Sequence, residues 1–217
     1  MTDQENNILW NSYLYPNTNI LINKFNIKDY NKLKEIETTY TFEKLLKLRQ
    51  EPLDIEIDKN RLNNLHKYLF EEIYPFAGEY RKVNMIKSRG TFLFINEPKD
   101  IDENLNKLFD DINEMKIHCH NKIDFCNILA KLYTSLIFIH PYREGNGRTI
   151  REFIREYSIK YSEKLGIGQM ELDWSAINKE KLEEYIDVVH LFPNSISSVF
   201  MDALVPNTAK PNIKKKY

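Results

Sequence analysis

An all-α fold interrupted by one β-hairpin is what this sequence predicts, and three observations predict it. Apolar residues recur at helical spacing in successive stretches along most of the 217 residues. Only one region, Tyr80 to Ile95, offers two runs of β-formers joined by a turn containing glycine, Lys87-Ser88-Arg89-Gly90. Pro52, Pro75, Gly78, Gly166, Gly168 and Pro193 fall between the helical stretches rather than inside them.

Residues 8 to 25 mix Tyr13, Tyr15 and Pro16 with Asn and Thr, and predict a short irregular or helical opening. Asp29 is placed to cap a helix from about Tyr30, with Leu33, Ile36, Tyr40, Leu45 and Leu48 as its apolar positions. A helix from about Lys59 carries Leu62, Leu65, Leu69, Phe70 and Ile73 on one face, ending at Pro75 and Gly78. The hairpin follows, with Tyr80 to Ile86 as first strand and Thr91 to Ile95 as second. Asp100 opens a helix through about Met115, with Ile101, Leu105, Leu108, Phe109 and Ile112 at helical spacing. Beyond a polar loop at 118–122, the stretch from Phe125 to Ile137 is apolar almost all round and belongs in a core. A second polar loop follows, and helical spacing resumes with Ile150, Phe153, Ile154, Tyr157 and Tyr161. Asp173 or Ser175 can cap a short helix, Lys179 to Phe192 reads as another, and Ser195 to Leu204 as the last. These elements predict a single domain over 1–217, with a core at about 10–205 and a loose basic tail over 206–217.

Composition narrows the function classes. A net charge of −1 provides no field that would recruit nucleic acid, and Lys214 to Lys216 read as a solvated end. Cys119 and Cys126 do not make a disulfide framework, so a reducing compartment fits. The first residues are polar and acidic, unlike a signal peptide, and no apolar run is long enough to span a membrane. The expectation is a cytoplasmic protein with neither a membrane nor a nucleic-acid partner. His118, Cys119, His120 and Cys126 match no standard zinc spacing and read as a polar loop beside a core cysteine. His66 and His190 lie in helical patterns and read as structural.

The chemistry concentrates in residues 140–151, His-Pro-Tyr-Arg-Glu-Gly-Asn-Gly-Arg-Thr-Ile-Arg. Two of only six glycines, Gly145 and Gly147, fall there, among a histidine, a carboxylate, a carboxamide and three arginines. A helical pattern precedes the segment and another begins near Arg148. A polar Gly-rich loop feeding a helix N-terminus is a natural anion site, because free N–H groups and the helix dipole converge on it. Arginines at a helix start are disfavoured by that dipole unless an anion joins them, and their forked donors suit phosphate.

This segment resembles the signature of the Fic family, His-Pro-Phe-x-Asp/Glu-Gly-Asn-Gly-Arg-x-x-Arg, with Tyr142 in place of phenylalanine and every other defined position matched. The Tyr74-Pro75-Phe76-Ala77-Gly78-Glu79-Tyr80-Arg81 stretch is similar to one that commonly precedes the family's flap, and residues 23–35 resemble the N-terminal region of many bacterial members. The resemblance implies a helical Fic core with a β-hairpin flap, and a protein adenylyltransferase that moves AMP from ATP to a Tyr, Thr or Ser hydroxyl of a target protein. It implies His140 as the base that takes the hydroxyl proton and Glu144 as the carboxylate for Mg²⁺. Gly145, Asn146 and Gly147 would hold phosphate oxygens, and Arg148 and Arg151 would neutralise the β- and γ-phosphates. Arg143 occupies the variable position and receives no catalytic role. Lys87 and Phe94 of the flap would lie near the site mouth, where a strand edge can hold an extended target segment.

Many members carry an inhibitory Ser/Thr-x-x-x-Glu-Gly/Asn helix whose glutamate pairs with the second motif arginine, here Arg151. Glu43 has the spacing from Thr39 but is followed by Lys44. Glu35 is preceded at that spacing by Asn31 and followed by Ile36. The favoured arrangement is a separate antitoxin polypeptide supplying the glutamate, with this chain as the toxin of the pair. Two alternatives stay open: a Fic enzyme using another phosphate-linked donor, such as UMP or phosphocholine, and a catalytically silent nucleotide-binding regulator.

Overall fold

A computed structural model of the chain describes residues 1–50, 55–89, 92–187 and 194–207. Among them are eight α-helices and two small antiparallel sheets, the all-α architecture with one hairpin that the sequence predicts. Helix α1 spans Asp3–Ser12, earlier than the sequence suggests, because Thr2 and Glu5 close a reciprocal capping box at its start. Helix α2 spans Tyr30–Gln50, with Asp29 Oδ1 accepting from the Lys32 N–H at 2.8 Å. Helix α3, Lys59–Phe70, starts at the Asp58 cap.

Strands β1, Met85–Arg89, and β2, Phe92–Asn96, form the expected hairpin, with Lys87 the register partner of Phe94. The first strand does not begin at Tyr80. Residues 80–84 are tied elsewhere: the Arg81 N–H donates to the Pro141 carbonyl at 2.8 Å, and the Asn84 N–H donates to Asn6 Oδ1 at 2.7 Å. Helices α4, Ile101–Ile117, α5, Lys122–Ile139, and α6, Asn146–Lys164, follow.

A second sheet went unread in the sequence. Strand β3, Met170–Leu172, pairs with β4, Leu204–Pro206, which leaves helix α8, Ser195–Ala203, without a break. Three-residue strands show no alternation to detect. They are held instead by two serines of α6, Ser162 and Ser158, whose hydroxyls accept from the Met170 and Leu172 N–H groups at 3.0 and 2.9 Å. Helix α7 is described over Lys179–Asp187. The rest of the helix expected to Phe192, His190 and the tail from 208 onward lie outside the described residues.

Helix α5 is the centre of the packing. Its buried side chains, among them Phe125, Cys126, Ile128, Ala130 and Tyr133, cover a broad part of its circumference, and α4, α6 and α8 pack against it. That is what a helix with so wide an apolar face requires. Cys119 and Cys126 are buried thiols, and burial pushes Cys126 up to about 11. No helix among the described residues is long and apolar enough to cross a membrane.

Candidate active site

The loop between α5 and α6 reverses the chain through two left-handed residues. His140 ends α5 at φ 48°, ψ 63°, and Gly145 precedes α6 at φ 80°. The first is costly for a residue with a side chain, by about 1–2 kcal/mol, so the surroundings must impose it. Arg81 does so from 59 residues away. Its Nε donates to the His140 carbonyl at 2.8 Å, one terminal nitrogen donates to the Ile139 carbonyl at 3.3 Å, and the other to the Val83 carbonyl at 2.6 Å. A buried guanidinium thus caps the carbonyl end of α5, where a cation is favoured. Burial pulls its pKa down to about 10, which leaves it charged at neutral pH. At Gly145 the reason for glycine is double. Beyond the positive φ, a Cβ would sit 2.4 Å from two carbons of the Phe70 ring.

Three further residues shape the loop. Asn146 accepts from the Tyr142 N–H at 2.9 Å and donates to the Tyr142 carbonyl at 2.7 Å, and its side chain is buried. The expectation that this carboxamide holds phosphate oxygens meets a different use: both of its polar atoms brace the loop. His66, read as structural from sequence, bridges two backbones. Its Nδ1 accepts from the Gly78 N–H at 2.8 Å, and its Nε2 lies 3.0 Å from the Glu144 carbonyl. That pairing fixes the tautomer with the proton on Nε2. Burial lowers the His66 pKa to about 4, so the ring stays neutral at physiological pH. It also stacks on Tyr142, centroids 3.8 Å apart.

Tyr142 departs from the signature's phenylalanine, and the structure gives the departure a partner. The phenol donates to Asn63 Oδ1 at 2.6 Å, and Asn63 donates onward to the Tyr80 hydroxyl at 3.0 Å. Tyr142→Phe is therefore expected to cost about 1 kcal/mol, the net worth of one hydrogen bond, visible as a lowered urea midpoint at unchanged m-value. No loss, measured in parallel with Asn63→Leu, would show that the pair contributes nothing.

The motif side chains meet two cavities that share no lining residue. One, of about 320 Å³, has His140, Gly147 and Arg151 at its polar end and Tyr133, Trp174, Ile177 and Leu182 among its walls. The other, of about 340 Å³, is lined by Glu144, Arg143 and Arg148, with Glu37 and Tyr74 behind them. Arg143 is packed over the Trp10 ring at 4.0 Å, a structural use that agrees with its unassigned role. Arg148 is held by Glu37, a residue not singled out from the sequence. Glu35 and Glu43, the glutamates singled out for inhibition, are exposed on α2 and do not join the motif arginines. The side chains of Lys87 and Phe94 lie outside the described residues.

Helices α1, α2, α3 and α5 begin with side-chain caps from Thr2, Asp29, Asp58 and Asn121. Helices α4, α6 and α8 begin without a side-chain cap, α6 at Gly145. The first-turn N–H groups of α6 are the ones the sequence points at an anion. Glu144 is half exposed, with Oε1 accepting from the Gly145 N–H at 2.9 Å and standing 3.8 Å from Arg148. One hard carboxylate with room beside it suits Mg²⁺, which takes few protein ligands and completes its shell with phosphate and water.

Comparison with known proteins finds relatives and similar structures. A family model described as Fic/DOC family matches residues 56–158. A protein adenylyltransferase of Bartonella henselae is 30% identical over 183 residues, covering 78% of this chain and 32% of that protein. The probable protein adenylyltransferase y4lH of Sinorhizobium fredii is 30% identical over 145 residues, covering 64% of this chain and 71% of the relative. The chain spans about a third of the length of the Bartonella adenylyltransferases it matches. Among solved structures, the BepC protein of Bartonella tribocorum with bound AMPPNP superposes with a TM-score of 0.73 at 25% identity, over 90% of this chain and 97% of that one.

Proposed function

This chain belongs to the Fic/DOC family, and from that premise we propose that it is a protein adenylyltransferase acting on a Tyr, Thr or Ser hydroxyl of a target protein, with ATP as donor. The observation that carries the reading is the uncapped start of α6, where Gly147 lines the polar end of a cavity together with His140 and Arg151, opposite an aromatic and aliphatic wall. A volume near 320 Å³ suits a nucleoside. The base and ribose would lie against Tyr133 and Trp174, and the phosphates against the first turn of α6.

His140 would take the proton of the acceptor hydroxyl as its oxygen bonds to the α-phosphorus. The bond to the bridging oxygen breaks, and pyrophosphate leaves. The free amides at Gly147 and the cations of Arg148 and Arg151 would receive the charge that builds on the phosphates. Glu144 would hold Mg²⁺, which when bound neutralises phosphate charge and orients the triphosphate. The β1–β2 hairpin would present a strand edge to an extended target segment. Glu35 and Glu43 are exposed and away from the arginines, which supports a separate antitoxin polypeptide as the source of any inhibitory glutamate and a toxin role for this chain.

The test is a labelling assay in bacterial lysate with ATP carrying label at the α- or the γ-phosphate. Protein labelled only from the α position supports AMP transfer. Label from the γ position would mean a kinase and defeat the reading.

A further inference from the structure

Outside the residues that the motif names, the contacts converge most on Glu37. One of its carboxylate oxygens accepts from the Arg148 guanidinium and the other from the Tyr74 hydroxyl. It is nine-tenths buried and comes from α2, an element far from the motif in sequence. The same guanidinium lies 3.5 Å from the Thr41 hydroxyl, one helical turn along α2, and 4.9 Å over the Phe70 ring. Phe70 is also the ring that closes against Gly145. A socket built from α2, α3 and the segment after it therefore surrounds one motif arginine.

We propose that Glu37, backed by Tyr74, is a positioning residue that fixes the Arg148 guanidinium beside Glu144 so that it meets the triphosphate in one orientation. The proposal deepens the adenylyltransferase reading and rests on it for the identity of the ligand. The physical case is pre-organisation. A free arginine side chain has rotamer freedom to lose, and binding that must order it is weakened accordingly. Here the order already exists, and it also sets the 3.8 Å separation between Arg148 and the Glu144 carboxylate. Glu37 does not reproduce the inhibitory pairing implied for Fic proteins, which engages the second motif arginine. Arg151 lines the other cavity, with His140. A carboxylate on Arg148 could nevertheless mask that cation from phosphate, and the sign of the effect separates masking from positioning.

The experiment is a double-mutant cycle on the full chain with Glu37→Gln, Arg148→Gln and the pair, reading ATP affinity by calorimetry, KM and kcat for transfer, and melting temperature. Glutamine keeps the length and a hydrogen-bonding acceptor but removes the charge. Glu37→Gln is expected to raise both Kd and KM for ATP about tenfold, the scale of one charge-assisted hydrogen bond, with kcat within about threefold. The double variant should bind no more weakly than Arg148→Gln alone, because the two act as a unit. Tighter ATP binding or faster transfer in Glu37→Gln would overturn the proposal in favour of masking. Additive losses, or a lowered melting temperature at unchanged Kd, would reduce Glu37 to a structural role. Tyr74→Phe, which leaves the ion pair and removes only its support, should give a smaller rise in Kd and replaces Glu37→Gln in the comparison if that variant does not fold. Since affinity is measured without turnover, a chain that binds ATP but transfers nothing defeats the adenylyltransferase reading while the cycle still decides the role of Glu37.

Discussion

His140→Ala is expected to lower kcat for AMP transfer about a thousandfold, the middle of the range for loss of a general base, while ATP affinity stays within about threefold. The separation of the two effects follows from what holds position 140. Its N–H donates to the Leu136 carbonyl and its own carbonyl accepts from Arg81, so backbone bonds hold the loop at this position. Alanine keeps those contacts. It also keeps the charge at the start of α6, where Arg148 and Arg151 remain. Initial rates at saturating target and calorimetric ATP titration of both proteins make the comparison. A fall of less than tenfold would remove His140 from the base role. A parallel collapse of ATP affinity would mean that the ring binds nucleotide instead.

What was legible in the sequence was local. His140, Glu144, Arg148 and Arg151 stand within twelve residues, and their spacing across one loop and one helical turn survives folding unchanged. Helix α5 announced itself because apolar residues occupy most of its positions. Glu37 was not legible, for a physical reason. The most buried positions of α2 are Leu33, Glu37, Thr41 and Lys44, three of them polar, so no hydropathy pattern marks that stripe. The positions read as its apolar face, such as Ile36, Tyr40 and Leu45, are only half-buried. That Glu37, rather than Glu35 or Glu43, faces a motif arginine depends on how α2 packs, which no local spacing carries. Asn146 shows the converse: the motif singled it out, and its carboxamide is turned inward to brace Tyr142. His66 likewise kept the buried place its helical pattern suggested, while its bridging of Gly78 and Glu144 depended on two loops meeting.

Arg81 shows how far the loop depends on residues outside the motif. Arg81→Met is expected to destabilise the fold by about 3 kcal/mol or more, since an unmet buried carbonyl costs about 1–3 kcal/mol and three lose a donor together. Methionine fills much of the arginine stem's volume, so a cavity is not the main term. The loss should appear as a lower urea midpoint with the slope preserved. Arg81→Lys makes the argument sharper. An ammonium retains the charge that the carbonyl end of α5 favours, but it cannot span the carbonyls of Val83, Ile139 and His140 as a planar fork does. It should recover only part of the stability. If lysine restored it fully, charge at the helix end would suffice and the fork geometry would be irrelevant. If methionine cost under 1 kcal/mol, water would be replacing the guanidinium, and the left-handed turn at His140 would owe its shape to the Gly145–Phe70 contact and the Asn146 brace instead. The same variants carry a functional reading. A loop held at His140 by Arg81 should lose AMP transfer more steeply than global stability when the fork is removed, because base and anion site are joined through the five residues between them.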